Sequence, residues 1–310
     1  MSALENGAYL NQFLAPQLLE EFKNYNDAFL ALLQPAPSGA ISADGIRRNK
    51  LINNVQFLIN NTDPFVADKM GMERNITTWD KLDTTPTAVD DAEIRSLNFD
   101  KRNVVRVKHT EAWKIGVRNY ALNKLAPTQD VQGKMPVLRT TGEVVNPGTA
   151  FARRRLTYAD LIKFWGEIEN LPGLLDQYKN LQLCQEHRLD LVLDRASTNN
   201  YRDIVINRQT GHLEAFYTLK LWHNLANTKY TPAGVLKAHD AVAADTDKNA
   251  SVFFYNMNTV YHVNSVKILY KPETLDTESA DPESTFRLQS YGLCDKVQEY
   301  GFGAIVSGNE

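Results

Sequence analysis

Hydrophobic and polar positions change period several times along the chain. In residues 8–33, AYLNQFLAPQLLEEFKNYNDAFLALL, the apolar Leu18, Leu19, Phe22, Tyr25 and Phe29 recur at helical spacing. This predicts a helix ending near Leu33, because Pro35 and Pro37 cannot extend it. Residues 51–95 lose the periodicity and predict a long, extended segment that holds Trp79 and the adjacent Asp90 and Asp91. A loop of that length without its own core is uncommon in a compact domain, and contact with a partner would give it a role. NVVRVKH at 103–109 alternates as a strand does. From Thr110 to Leu125 the spacing of Trp113, Val117 and Tyr120 predicts a helix stopped by Pro127.

The middle of the chain, 181–223, organises the rest. Leu181, Leu183, Leu189, Leu191 and Leu193 keep a two-residue beat that predicts strand, with His187 near a strand start. RDIVINRQTGHLEAFYTLKLW is apolar and rich in strand formers on both sides of Gln209-Thr210-Gly211-His212. That pattern predicts a hairpin whose glycine supplies a positive φ. Upstream, Thr157 and Asp160 have the spacing of a short capping box. They open a helix, YADLIKFWGEIENL, that breaks at Leu171-Pro172-Gly173 and resumes to about Lys179. Downstream, SVFFYNM (251–257), YHVNSVKILY (261–270) and FRLQSYGLCDKVQEYGFGAIVSG predict strands that complete the sheet. The fold class is α+β.

Composition narrows the function. The chain has 310 residues, of which 43% are apolar and 23% charged, as expected of a folded protein with one large domain or two modest ones. The formal charge of -3 gives no support for general nucleic-acid binding, although a whole-chain sum does not reveal segregation on the folded surface. Cys184 and Cys294 stand far apart, without metal-ligand spacing, and read as free thiols in a reducing compartment. The pattern of a signal peptide and an apolar run of membrane length are both missing, so neither export nor a membrane span is expected.

The motifs of common chemistry are missing too. The chain has no GxGxxG, no GxxxxGKS/T, no HExxH and no GxSxG. No two of its six histidines share the four-residue spacing of a helical metal pair, so neither metal nor cofactor is expected. Asp190 with Asp194, or Asp203 with Glu214, would serve glycoside hydrolysis only across a sugar-binding cleft, and no aromatic lining for one is evident. The residues singled out read either as plain solvated surface or as contact residues, between subunits or toward DNA. They are the basic Arg47, Arg48 and Lys50, the triplet Arg153, Arg154 and Arg155, and Trp79, Asp90 and Asp91.

From Leu156 onward several passages stand in a telling order. They are LTYADLIKFWGEIENLPG followed by LQLCQEHRLDLVLDRA, then RDIVINRQTGHLEAFYTLKLW, YTPAG, SVFFYN and YGLCDKVQEYGFGAIVSG. Their order and spacing resemble the major capsid proteins of tailed bacteriophages, which have the Hong Kong 97-like fold. The resemblance implies an N-terminal arm over 1–50 and an extended β-hairpin loop region with flanking strands over 51–109. It places the spine helix of the peripheral domain at 110–127, the axial and peripheral core at 128–250 and closing strands at 251–310. It implies self-assembly into hexamers and pentamers of an icosahedral head around double-stranded DNA, with no catalysis. The implied partners are further copies of the chain, portal, scaffolding and decoration proteins, and packaged DNA bound without sequence specificity. No membrane is involved. The implied location is the virion, after assembly in the host bacterial cytoplasm. No scaffolding-like segment of a hundred residues is visible, so a separate scaffold is expected. Two alternatives stand beside this reading. One is a nanocompartment shell or another virion structural protein; the other is a hydrolase using Asp190 and Asp203.

Overall fold

The computed structural model describes residues 28–52, 59–60, 71–90, 101–197, 204–207, 212–223, 228–239, 241–278, 280 and 282–309. In chain order the strands begin with β1 (Gly45–Ile52), β2 (Gly71–Thr78), β3 (Asp80–Asp83) and β4 (Thr87–Asp90). The long helix α1 (Lys101–Leu125) follows, then β5 (Val137–Arg139), β6 (Val144–Val145), β7 (Arg153–Arg154) and helix α2 (Tyr158–Glu169). Next come β8 (Lys179–Leu183), helix α3 (Gln185–Ser197), β9 (Ile204–Ile206), β10 (Leu213–Phe216), β11 (Leu219–His223) and β12 (Thr228–Tyr230). The chain closes with β13 (Lys248–Tyr255), β14 (Thr259–Val263), β15 (Lys267–Lys271), β16 (Glu283–Lys296) and β17 (Phe302–Val306).

The larger sheet has the order β5-β17-β13-β8-β11-β10-β9, with β12 also on β13. Its central strands are buried on both faces. On β13, Phe253 packs with Leu161, Phe164 and Ile168 of α2, while Val252 and Phe254 pack with Trp113, Val117 and Leu122 of α1. Burial on both faces explains why SVFFY reads as a continuous apolar run and not as an alternation. α2 sits very close to β17, since a Cβ on Gly303 would lie 2.9 Å from Phe164 Cζ and 3.1 Å from the Pro136 carbonyl. The expected capping box opens α2: Thr157 Oγ1 accepts from the Asp160 amide, and Asp160 accepts from the Thr157 amide.

The second sheet is organised by the 14-residue β16. β14 and β15 lie end to end along one side of it, and β3 and β4 along the other. Each flank has three residues opposite two at its middle, 264–266 against 290–291 and 84–86 against 287–288. These are the added residues of bulges, which bend and twist a strand. Thr84 holds one of them: its amide donates to Leu288 O, and its hydroxyl accepts from the Leu288 amide, each at 2.9 Å. α1 lies along this sheet, with His109 against Phe286 at its start and Tyr120 beside Cys294 near its end.

Several expectations change. NVVRVKH is no strand but the opening of α1, with Val104 and Val107 turned outward; four alternating residues cannot separate a two-residue period from a helical one. QEHRLDLVLDRAS is likewise helical, with an inverted face. His187, Asp190 and Leu191 are buried, while Leu189, Val192 and Leu193 are exposed. Residues 79–90 are not a free extended loop, because β3 and β4 pair with a strand 200 residues later. YHVNSVKILY is divided by its bulge into β14 and β15. Past Pro172 only a 3-10 turn, Asp176–Tyr178, precedes β8. The expected hairpin forms between β9 and β10. Its turn, with Gly211, lies outside the described residues, as does most of the expected helix at 8–33. A second hairpin joins β10 to β11 through Tyr217, at φ 48° and stacked on Trp165 with ring centroids 4.8 Å apart.

Candidate assembly surfaces and their internal supports

The basic cluster at 47–50 lies on a ribbon. Among the described residues β1 and β2 form a two-stranded sheet of their own, in unbroken register from Gly45 with Thr78 to Ile52 with Gly71, with one isolated bridge from Ile46 to Ile41 at its base. Eight residues of strand reach about 26 Å. The base of the ribbon is firmly seated. Ile46 is fully buried with Val260 and Leu293, and Trp79 packs against the same cluster. The Trp79 indole Nε1 donates to Ser42 O at 3.1 Å, and its ring lies 5.6 Å from that of His262. Thr77 Oγ1 donates to Asp295 Oδ2 at 3.2 Å. The backbones approach so closely that a Cβ on Gly45, at φ 153°, would lie 2.0 Å from the Thr77 carbonyl oxygen. Arg47 is exposed on the ribbon, and Arg48 and Lys50 follow it on the same strand. Trp79 is thus an internal anchor. Asp90 ends β4 opposite Glu283, and Asp91 lies outside the described residues.

The arginine triplet divides into three environments. Arg153 turns inward: Nη1 donates to Asp190 Oδ2 at 2.6 Å, Nη2 to Oδ1 at 3.0 Å, and Nε lies 3.3 Å from Glu186 Oε2. Arg154 reaches the C-terminal end of the chain, donating from Nε to Asn309 O at 3.1 Å. Arg155 is half-buried, and its amide donates to Glu143 O.

The imagined acid pairs have structural work. Asp190 also accepts from the Leu156 amide at 3.1 Å, and Asp194 accepts from the Tyr158 amide at 3.0 Å. Both carboxylates therefore tie α3 to the start of α2. Glu214 accepts from Asn207 Nδ2 at 2.8 Å, and Asp203 lies outside the described residues. His187 is fully buried, with Nδ1 2.8 Å from Ser251 Oγ and Nε2 3.0 Å from Ser307 Oγ. Burial drives its pKa down to about 4. Both cysteines are free and buried, and burial pushes the Cys184 thiol up to about 12, the opposite of a reactive thiol. Among the described residues, no group of three His, Cys, Asp or Glu could hold a metal ion.

A groove of about 510 Å³ runs between α1 and β3, lined among others by Asp80, Trp113, Tyr120, Lys124 and His239. Two ion pairs line it, Asp80 with Lys124 and Asp83 with Lys81. Asp80 Oδ2 accepts from Tyr120 Oη at 2.5 Å and from Lys124 Nζ at 2.9 Å. Burial raises the Asp80 pKa, but these two donors outweigh it and hold the carboxyl below its usual value. Among the described residues, the groove holds no nucleophile with a base aimed at it.

No family model matches the chain, and no curated protein matches it either. Solved structures do. The capsid of Cyanophage P-SCSP1u aligns with a TM-score of 0.60 at 10% identity, over 92% of this chain and 89% of that one. The capsid of Ralstonia phage GP4 aligns with a TM-score of 0.59 at 8% identity, over 90% and 87%. A virus-like particle from Pyrococcus furiosus aligns with a TM-score of 0.51 at 9% identity, over 94% and 97%. Chains this different in sequence share the order and packing of their elements, and likeness at this level speaks to fold. The two sheets, the long helix between them and the projecting ribbon belong to one known architecture: this chain has the Hong Kong 97-like capsid fold.

Proposed function

We propose that the chain is the major capsid protein of a tailed phage, a tile that assembles into hexamers and pentamers of an icosahedral head around double-stranded DNA. The observation that carries this reading is the ribbon β1–β2, set on a fold shared with capsid subunits. A two-stranded ribbon on its own is marginal in water, so its strands gain a covering surface when a neighbouring tile supplies one. In this reading the ribbon is the extended loop and α1 the spine helix. Arg47, Arg48, Lys50, Arg154, Arg155 and Asp90 are the surfaces offered to neighbours. Portal, scaffolding and decoration proteins are the expected further partners, and the virion, assembled in the bacterial cytoplasm, is the expected location.

The likeness to the Pyrococcus furiosus virus-like particle supports a second reading, a nanocompartment shell. Negative-stain microscopy of the purified protein, alone and with its scaffold, tests both. Closed particles are expected. A protein that stays monomeric under all assembly conditions would end both readings. Particles that package a protein cargo, from a genome without portal and terminase genes, would favour the second.

A further inference from the structure

The hairpin of β15 and β16 has a basic body and an acidic tip. Ile268 and Tyr270 of β15 pack on the core cluster that includes Trp113 and Val117. Lys267, Leu269 and Lys271 therefore alternate onto the opposite face. Arg287 lies directly across from Leu269 and shares that face. Lys267 and Lys271 are exposed, and among the described residues neither forms an ion pair. Asp83, on the same face, is held by Lys81 at 2.8 Å. Glu283 and Asp90 face each other further along the sheet, past Thr285.

A hollow of about 460 Å³ lies against β15, lined among others by Pro86, Leu269, Lys271, Phe286 and Arg287. On its outer side β15 pairs with no other strand of the described residues, so the hollow and the strand edge open together. The connection from β15 to β16 has the opposite character. Between Lys271 and Arg287 stand five acids and no base. Its first part is a fixed turn, the 3-10 element Glu273–Leu275. Tyr270 Oη donates to Glu273 Oε2 at 3.3 Å, and Asp276 Oδ2 accepts from the Glu283 amide at 3.1 Å. These bonds leave Leu275 65% exposed, and Glu278 is exposed beyond it. A lone exposed leucine is ordinary. One held on a fixed turn among acids is an apolar knob with a defined charge around it.

We infer that the acidic turn 273–278 of one copy docks in the hollow on β15 and β16 of a second copy. Leu275 meets Leu269 and Phe286 there, and Asp276 and Glu278 meet Lys267, Lys271 and Arg287. The inference rests on the capsid reading above and gives it a particular contact between tiles. Charge complementarity identifies the occupant: the chain that carries the basic hollow also carries an acidic turn with an apolar centre. Tip and hollow are different surfaces of one hairpin, so the contact is head-to-tail, the kind that closes copies into rings. Direct pairing of two β15 edges is disfavoured. Centred on Leu269, it would set Lys267 of one copy opposite Lys271 of the other, and like charges directly opposite destabilise a ladder. Duplex DNA would answer to the lysines but would leave Leu275 and the apolar floor of the hollow without a role.

The test is charge reversal with rescue, read by sedimentation velocity of the full-length protein. Lys267→Glu with Lys271→Glu should weaken association by about 100-fold, and so should Asp276→Lys with Glu278→Lys. All four changes in one chain restore opposite charges across the contact and should recover most of the loss. Circular dichroism melts show which variants fold. Asp276 also holds the Glu283 amide, so a second test does not depend on it. Leu269→Cys with Leu275→Cys, oxidised with diamide, should give disulfide-linked oligomers, whereas Leu275→Cys alone should give none. The native Cys184 and Cys294 are buried and stay out of this reaction. Loss without rescue, no linked oligomers from the paired cysteines, or linked dimers from Leu275→Cys alone would overturn the inference. Wild-type assembly by Lys267→Glu with Lys271→Glu, together with lost binding of a labelled duplex, would overturn it too and assign the hollow to DNA. Particles that form in every variant overturn this contact and leave the capsid reading standing; a wild type that never assembles removes both.

Discussion

Arg153 and Asp190, 37 residues apart, meet in a two-pronged pair at 2.6 and 3.0 Å, with the carboxylate 2% exposed. Asp190 further holds the Leu156 amide just before α2. One carboxylate therefore joins β7, α2 and α3. Removing one partner strands a buried charge, which costs about 3–5 kcal/mol. Asp190→Ala and Arg153→Ala should each lower stability by that order in urea unfolding. The double variant should cost less than the two single changes together. Additive losses would show that the pair is not coupled.

The three consecutive arginines are expected to behave differently from one another. Arg153→Glu would set a carboxylate against Asp190 and Glu186 and should prevent folding. Arg155→Glu alone should leave the melting temperature within a few degrees of wild type, because surface changes are usually worth less than about 0.5 kcal/mol. Sedimentation of Arg155→Glu then reports on assembly without the confounding loss of fold. Unchanged capsomer formation would remove Arg155 from the contact surfaces.

Acid should weaken the protein through His187. Burial is the main cause that lowers its pKa to about 4; Asp190 and Asp160 pull it upward, and Arg153 pushes it further down. An unfolded histidine titrates near 6.5, so the unfolded chain takes up the proton first as pH falls. The stabilisation is complete above pH 6.5, and it is lost progressively as pH falls toward the folded value. Between pH 7 and 5 this one group should account for a loss of about 2 kcal/mol. Its removal in His187→Gln should flatten the pH dependence of the urea midpoint over that window. A parallel pH profile in the variant would point to other groups.

Gly45→Ala should open the ribbon at its base. The new Cβ would meet the Thr77 carbonyl at 2.0 Å, and backbone cannot yield there as a flexible side chain would. Hydrogen exchange at the amides of 46–52 and 71–77 should rise, while β13 and β17 keep their protection. If the reading of the ribbon is right, assembly is lost although the sheets persist. Replacing residues 49–74 with a short glycine–serine turn should do the same more cleanly. Removing 78–98 is a different experiment: it deletes β3 and β4 from the second sheet and should unfold it.

Local chemistry determined some features outright. Thr157 and Asp160 form their capping box from four adjacent residues, and Pro127 follows the end of α1, so these were legible in order of residues alone. The runs SVFFY and FGAIV read as strands from their residue types, and they are neighbours in the larger sheet.

What the tertiary structure decided lies wherever the partner is remote. Residues 80–90 show no periodicity because their pairing is written into β16, some 200 positions on. The two-residue beat of Leu189, Leu191 and Leu193 misleads because α3 buries His187 and Asp190 for the sake of Ser251, Ser307 and Arg153, leaving two of those leucines in solvent. Hydrophobic period signals structure when apolar side chains face inward. Where a buried ion pair and a neutral histidine take the inner face instead, the signal inverts, and only the assembled fold shows which face is which.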